Sequence, residues 1–422
     1  MTTNTFSKNL AAFSGIIFAF AFCLLLIAFY HDWTWSLYDD MEWVDAFHRF
    51  KFLDFISFDW ISNGRVRPLS LIYSNLRFLI FGTDAQTIHF IRSIENILFY
   101  VVLGLFLRSL KISSLWIAAT LCLVLKSPTS LEQFRWISFH EIWGCTFVLF
   151  ALIIYKKNKH LSYLLLALAT LFKEPFAIFL ALPSALNNET NKTFASLILS
   201  FTYLFVLYLF RHGYSSTYSI HSISISLLLS LLKGSFIDLA PFALLLFGLQ
   251  LAKPARQATI PVIFGLAYYA LVTPKAWGYS YMHFPAIVLV LVGLITYFSQ
   301  LQIKHRRVVI AFLFLSAFVL PLRLVWSWTK TYKTLSSVNS ILTVLQKPFS
   351  TNCYNEYFYQ KDGKTKLVPI HTGVSSISQS CTHAKSIAVF QECSGFHTLA
   401  REMKQSSLNT TIFQNNFVTF CN

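Results

Sequence analysis

Long apolar blocks separated by short polar ones set the pattern of this chain. About 20 apolar residues cover the ~30 Å of a bilayer's hydrocarbon as helix. Nine blocks approach that length: 10–30, 89–109, 112–127, 138–155, 193–211, 236–252, 258–273, 284–302 and 308–328. A tenth, 161–187, is apolar but broken by Lys173-Glu174-Pro175. Each of its arms holds about 12 residues, or ~18 Å of helix, so the pattern predicts a re-entrant or short helical hairpin with that tripeptide at its tip. Broken backbone at membrane depth is tolerated where it lines protein or a water-filled cavity. The expectation is an all-α polytopic membrane protein with nine spans plus the hairpin, or eleven crossings if the two arms are counted.

Composition agrees. Only 12% of the 422 residues are charged and 55% are hydrophobic, against about a quarter charged in soluble domains. Phe supplies 43 residues and Trp 10, as cores and interfacial belts require. The formal charge of +16 would suggest nucleic acid in a soluble protein. Here much of the excess lies in short loops, which makes the partner a lipid bilayer and not nucleic acid. No cleavage pattern follows the first apolar run, so it is kept as a span.

The densest basic loops are Lys156-Lys157-Asn158-Lys159-His160, Lys253-Pro254-Ala255-Arg256 and Lys304-His305-Arg306-Arg307. Placing all three in the cytoplasm requires the hairpin to enter and return on one side. The N-terminus is then cytoplasmic. Segments 31–88, 128–137, 212–235 and 329–422 are exoplasmic, which in a bacterial inner membrane means periplasmic. Residues 1–328 form the membrane domain and 329–422 a polar C-terminal domain. Pro68 to Phe81 is apolar but too short to span, and is expected as an interfacial helix with Pro68 in its first turn. Segment 222–235 has the same character. The tail carries Cys353, Cys381, Cys393 and Cys421, an even number suited to disulfides in an oxidising compartment. Three pairings are open. Cys23, Cys122 and Cys145 fall in spans.

Charged residues are scarce enough to be informative. The first exoplasmic loop holds Asp39 and Asp40, and closes on Gly64-Arg65-Val66-Arg67-Pro68. Neighbouring carboxylates raise one another's pKa and suit a general base; a solvated loop is the plain alternative. The forks of Arg65 and Arg67 match phosphate oxygens, or simply lie near lipid headgroups. An ionisable pair inside an apolar segment is costly and points to function, so Lys173 is a candidate, with Glu174 either its neutralising partner or a functional group. Lys275 faces the same side. The loop Glu132-Gln133-Phe134-Arg135-Trp136 and the pair His140-Glu141 form a second cluster. Its acids can assist a base, hold a divalent metal such as Mg or Mn, or contact a sugar on which Trp136 stacks. The plain alternative for His140-Glu141 is a packed pair at a span start. Arg92, Glu95 and Asn96 share a helical face and are expected to pair within the protein.

The order of these motifs resembles the GT-C superfamily of polytopic glycosyltransferases. The resemblance rests on Asp39-Asp40 in a long first loop, Arg67-Pro68-Leu69-Ser70 before an interfacial helix, Phe81-Gly82, His89, Asn96, and Lys173-Glu174-Pro175. The layout resembles one branch, the bacterial and phage-type serotype-converting O-antigen glucosyltransferases. What the resemblance implies is inverting transfer of a sugar, plausibly glucose, from a polyprenyl-phosphate donor to an extracytoplasmic glycan such as O-antigen of lipopolysaccharide. Asp40, or Asp39, would be the base, and Arg65, Arg67, Lys173 and Lys275 would hold the lipid phosphate. A lipid-linked glycan flippase and a polysaccharide polymerase or ligase are the other readings. The absence of an internal repeat disfavours transport.

Overall fold

The structure, a computed structural model, describes residues 51–54, 66–127, 129–130, 140–211, 256–276 and 280–300, most of 11–25, a few isolated positions such as Gln133, and five strands between 356 and 421. Its helices are α1 (Phe13–Phe22), α2 (Pro68–Phe81), α3 (Ala85–Ser109), α4 (Ser114–Lys126), α5 (Glu141–Ile154), α6 (Lys159–Phe172), α7 (Leu182–Leu186), α8 (Thr190–Arg211), α9 (Arg256–Ala276) and α10 (Phe284–Gln300), with 3-10 helices at Glu174–Ala181 and Ser280–His283. The spans expected at 236–252 and 308–328, and the segment 222–235, lie outside the described residues. The chain divides into two compact units, Met1–His31 with Lys51–Pro321, and Asp32–Phe50 with Leu322–Asn422.

In the first unit, local sequence explains where helices begin. Pro68 occupies the first turn of α2, where its missing N–H costs nothing. The Asp84 carboxylate caps α3 by accepting from the Thr87 amide at 2.8 Å, and Asn158 caps α6 by accepting from the Leu161 amide at 3.0 Å. Two described helices, Gln86–Ser109 and Thr190–Leu209, are long and apolar enough to cross a membrane. The second is buried over only 11% of its apolar window, and Phe194, Ile198, Phe201 and Phe205 point outward. Helix α2 is inverted in the same sense. It buries Ser70, Ser74, Asn75 and Arg77 along with Leu71 and Phe78, while exposing Leu76, Leu79, Ile80 and Phe81. A polar face turned inward and an apolar face turned outward fit lipid as the solvent.

Helices α5 and α6 are antiparallel neighbours, tied by the Ser162 hydroxyl donating to the Ala151 carbonyl at 2.8 Å. Each has 14 residues, or ~21 Å, so α5 is shorter than the span expected at 138–155. At their turn, Lys159 and Lys192 contact Glu189 at 2.7 and 2.8 Å. Arg256 donates to the Ala185 carbonyl at 2.8 Å and to Asn188 at 2.5 Å. Two of the basic loops therefore meet one end of the unit. Helices α9 and α10 pack closely enough that a methyl group at Gly265 would fall 2.9 Å from the Ala286 carbonyl oxygen.

Among the described residues of this unit the all-α expectation holds, and it does not extend to the tail. There, β1 (Glu356–Lys361), β2 (Lys364–Pro369), β3 (Ile387–Gln391), β4 (Phe413–Asn415) and β5 (Val418–Cys421) form one sheet in the order β2-β1-β3-β5-β4. β1 and β3 are parallel and the other pairs antiparallel. Aromatic and β-branched residues fill EYFYQK, IAVFQ and VTFC, as strands favour. Cys421 sits opposite Ile387; Cys353, Cys381 and Cys393 lie outside the described residues.

Candidate functional site

The hairpin breaks where the sequence predicts. Helix α6 ends at Phe172, Lys173 is extended (φ −160°, ψ 127°), and the 3-10 helix opens at Glu174 with Pro175 in its first turn. An extended residue throws successive side chains to opposite sides, and the two charges separate accordingly. Lys173 pairs with Glu141 at the start of α5. Glu174 accepts a hydrogen bond from the Val66 amide at 3.0 Å. Lys173 thus has a carboxylate partner 32 positions away in the chain. Glu141 is almost fully enclosed, with a side chain 1% exposed, whereas Lys173 retains 16%, so the open side of the pair belongs to the lysine. The second Glu141 oxygen, Oε2, has no hydrogen-bond partner among the described residues. Gly144, one turn into α5, lets the Phe176 ring seat against the helix backbone, where a Cβ would overlap it.

Helix α2 closes the break from the other side. The Ser70 hydroxyl donates to the Phe172 carbonyl at 2.6 Å, and Ser74 Oγ lies 3.0 Å from His140 Nε2. The Tyr73 ring meets His140, Trp143 and Phe172 edge-on, with centroids at 5.9, 5.3 and 6.3 Å. The bond from Val66 to Glu174 fixes the chain immediately before α2, and Arg67 is the residue that precedes its first turn. The first loop's arginine-proline end, the hairpin break and the start of α5 are therefore one place.

Behind it lies a buried charge network. Glu95 on α3 contacts Arg92 at 2.7 Å and Arg77 at 3.3 Å, and accepts from the Tyr73 hydroxyl. Arg92 also donates to the Gln133 carbonyl at 2.7 Å and to its side-chain oxygen at 3.1 Å. Asn96 donates to the Arg92 carbonyl at 2.8 Å. The face expected from Arg92, Glu95 and Asn96 does pair inside the protein, and it reaches two further elements.

His283 is a member that sequence reasoning missed. It is 7% exposed and stacks on Tyr269 with centroids 4.3 Å apart. Burial, aided by the nearby Lys173 charge, pushes its pKa down to about 4, so the imidazole is neutral at pH 7. The available signal was a lone histidine, in Tyr281-Met282-His283, directly before an apolar run. Lys275 falls in the last turn of α9. Asp39, Asp40, Arg65, Glu132 and Trp136 lie outside the described residues. Among the described residues, no three His, Cys, Asp or Glu side chains gather closely enough to hold a metal ion.

No family model matches the chain, and no curated protein matches it. Among solved structures, the fold is similar to that of ArnT from Cupriavidus metallidurans bound to undecaprenyl phosphate, with a TM-score of 0.53 over 97% of each chain at 12% identity. At that identity the likeness is one of fold: the architecture of this chain is ArnT-like.

Proposed function

We propose that this protein is a membrane glycosyltransferase that takes a sugar from a polyprenyl-phosphate donor and delivers it, with inversion, to an extracytoplasmic glycan, plausibly glucose to O-antigen. The observation that carries the reading is the meeting of Val66-Arg67 with Lys173, Glu174 and Glu141 at a broken hairpin, in a fold shared with a protein solved with a lipid phosphate bound. A lysine that keeps 16% of its side chain exposed, near an arginine, suits one phosphate group. The acceptor hydroxyl oxygen attacks the anomeric carbon and its proton passes to Asp40, with Asp39 the alternative base. The carbon–oxygen bond to phosphate breaks, and its electron pair stays on the phosphate, where Lys173, Arg67, Arg65 and Lys275 meet the developing charge. Glu132, Trp136 and His140 serve acceptor or sugar placement. The N-terminus and basic loops are cytoplasmic, and the reaction centre faces the periplasm.

The test is sugar transfer in vitro from a short-chain polyprenyl-phosphate sugar. Asp39→Asn/Asp40→Asn is expected to remain in the membrane and to abolish transfer; full activity in that variant would sink the assigned base. Lys173→Gln is expected to raise the donor KM by about tenfold or more, the loss of one charge-assisted contact. An unchanged donor KM removes Lys173 from the phosphate site.

A further inference from the structure

We propose that Glu141 is the counter-ion that frees the lipid-phosphate product, by reclaiming Lys173 after each transfer. The proposal rests on the reading of Lys173 as a phosphate ligand and adds a role for the carboxylate beneath it. Transfer turns a phosphodiester with one negative charge into a phosphomonoester carrying about −1.5 to −2 at neutral pH. Any cation that helps the phosphate to leave the sugar therefore binds the product more tightly than the donor. A site built only of cations would hold its own product.

Glu141 supplies the opposing pull. It is enclosed, with its side chain 1% exposed, and its only hydrogen-bond partner among the described residues is Lys173, since Oε2 has none. When Lys173 turns to a phosphate, Glu141 becomes a buried carboxylate without compensation, a state that is strongly disfavoured. Glu174 accepts from the Val66 amide at 3.0 Å. The exposure difference, 16% for Lys173 against 1% for Glu141, gives the lysine freedom to move between the two anions while the carboxylate stays fixed. Phe176 seated on Gly144 one turn away keeps α5 from following it.

The experiment measures inhibition by a short-chain polyprenyl monophosphate, alongside single-turnover and steady-state rates. Glu141→Gln is expected to lower the inhibition constant by about tenfold, to lower the donor KM less, and to slow steady-state turnover while sparing the single-turnover rate. A passive structural role predicts weaker binding of both ligands and an equal fall in both rates, and that result overturns the proposal. Should Glu141→Gln not accumulate, Glu141→Asp draws the carboxylate back by one methylene. It is expected to lower the inhibition constant in the same direction by a smaller factor, and an unchanged constant overturns the idea. Lys173→Gln separates the layers. If it leaves monophosphate affinity unaltered, the phosphate-site reading itself fails. If it weakens affinity while Glu141→Gln does not strengthen it, only the counter-ion role fails.

Discussion

The buried network around Glu95 allows a quantitative test of what holds α2 against α3. Glu95→Gln removes one negative charge that faces two guanidinium groups, Arg77 and Arg92, whose side chains are 1% and 0% exposed. Two unit charges about 6 Å apart repel by ~3 kcal/mol at an effective dielectric of 20. The Gln side chain retains part of the hydrogen bonding, so the expected destabilisation is about 3–5 kcal/mol, the range for breaking a buried pair. Arg77→Met removes the longer contact, 3.3 Å, and leaves Arg92 and Tyr73 on Glu95, so its cost is about 1–2 kcal/mol. The double variant keeps one cation only, and Arg92 still has its two bonds to Gln133. Its cost should fall short of the sum by at least ~1 kcal/mol. Denaturant titration of the purified protein in mixed micelles, run as a double-mutant cycle, measures the four stabilities. Additivity within ~0.5 kcal/mol would mean that the two arginines do not share the carboxylate's field, and would refute the reasoning.

Further outcomes follow from single contacts. His283 has its pKa pushed from 6.5 down to about 4, so the unfolded chain binds this proton first as pH falls. The contribution is complete above pH 6.5, is lost as pH drops toward 4, and amounts to ~3 kcal/mol; His283→Gln should flatten the stability profile over that window, and an unchanged slope would refute the assignment. Gly144→Val should push Phe176 off α5 and destabilise by about 1–3 kcal/mol, with the donor KM falling because Lys173 loses its register with the competing Glu141. A thermal midpoint and KM equal to those of the parent would rule out the seat at Gly144.

Much of the helical unit was legible because its cues are local. The Pro68 start and the break at Lys173 are punctuation that the backbone obeys, and Arg92 with Glu95 is an i,i+3 pair. The partner of Lys173 was not legible. Adjacency offered Glu174 as one alternative, whereas the carboxylate that meets the lysine in an ion pair comes from another helix. Ser74 beside His140 and Tyr73 against three rings depend likewise on how α2 docks, which no spacing encodes. In the tail, Asp362-Gly363 between β1 and β2 is the dipeptide that two-residue hairpins favour, a signal present in the sequence but left unused.

The equal lengths of α5 and α6 give the site its depth. Both run 14 residues from a shared basic turn, so Glu141 and Lys173 meet at one level, ~21 Å from that turn. In the proposed orientation, with the basic turn at the inner surface, a ~30 Å hydrocarbon layer leaves the pair several ångströms below the outer one. A bare ammonium there would be expensive, and Glu141 is what makes the lysine tolerable before a donor arrives. The exposed apolar edge of α2, Leu76, Leu79, Ile80 and Phe81, suits lipid, and Arg67 precedes the first turn of the same helix. On the proposed function, a donor keeps its chain in lipid beside α2 while its phosphate meets Arg67 and Lys173. The carboxylate that stabilises the lysine is therefore, on the proposed function, the one the phosphate must displace, and both the affinity for donor and the release of product turn on that single exchange.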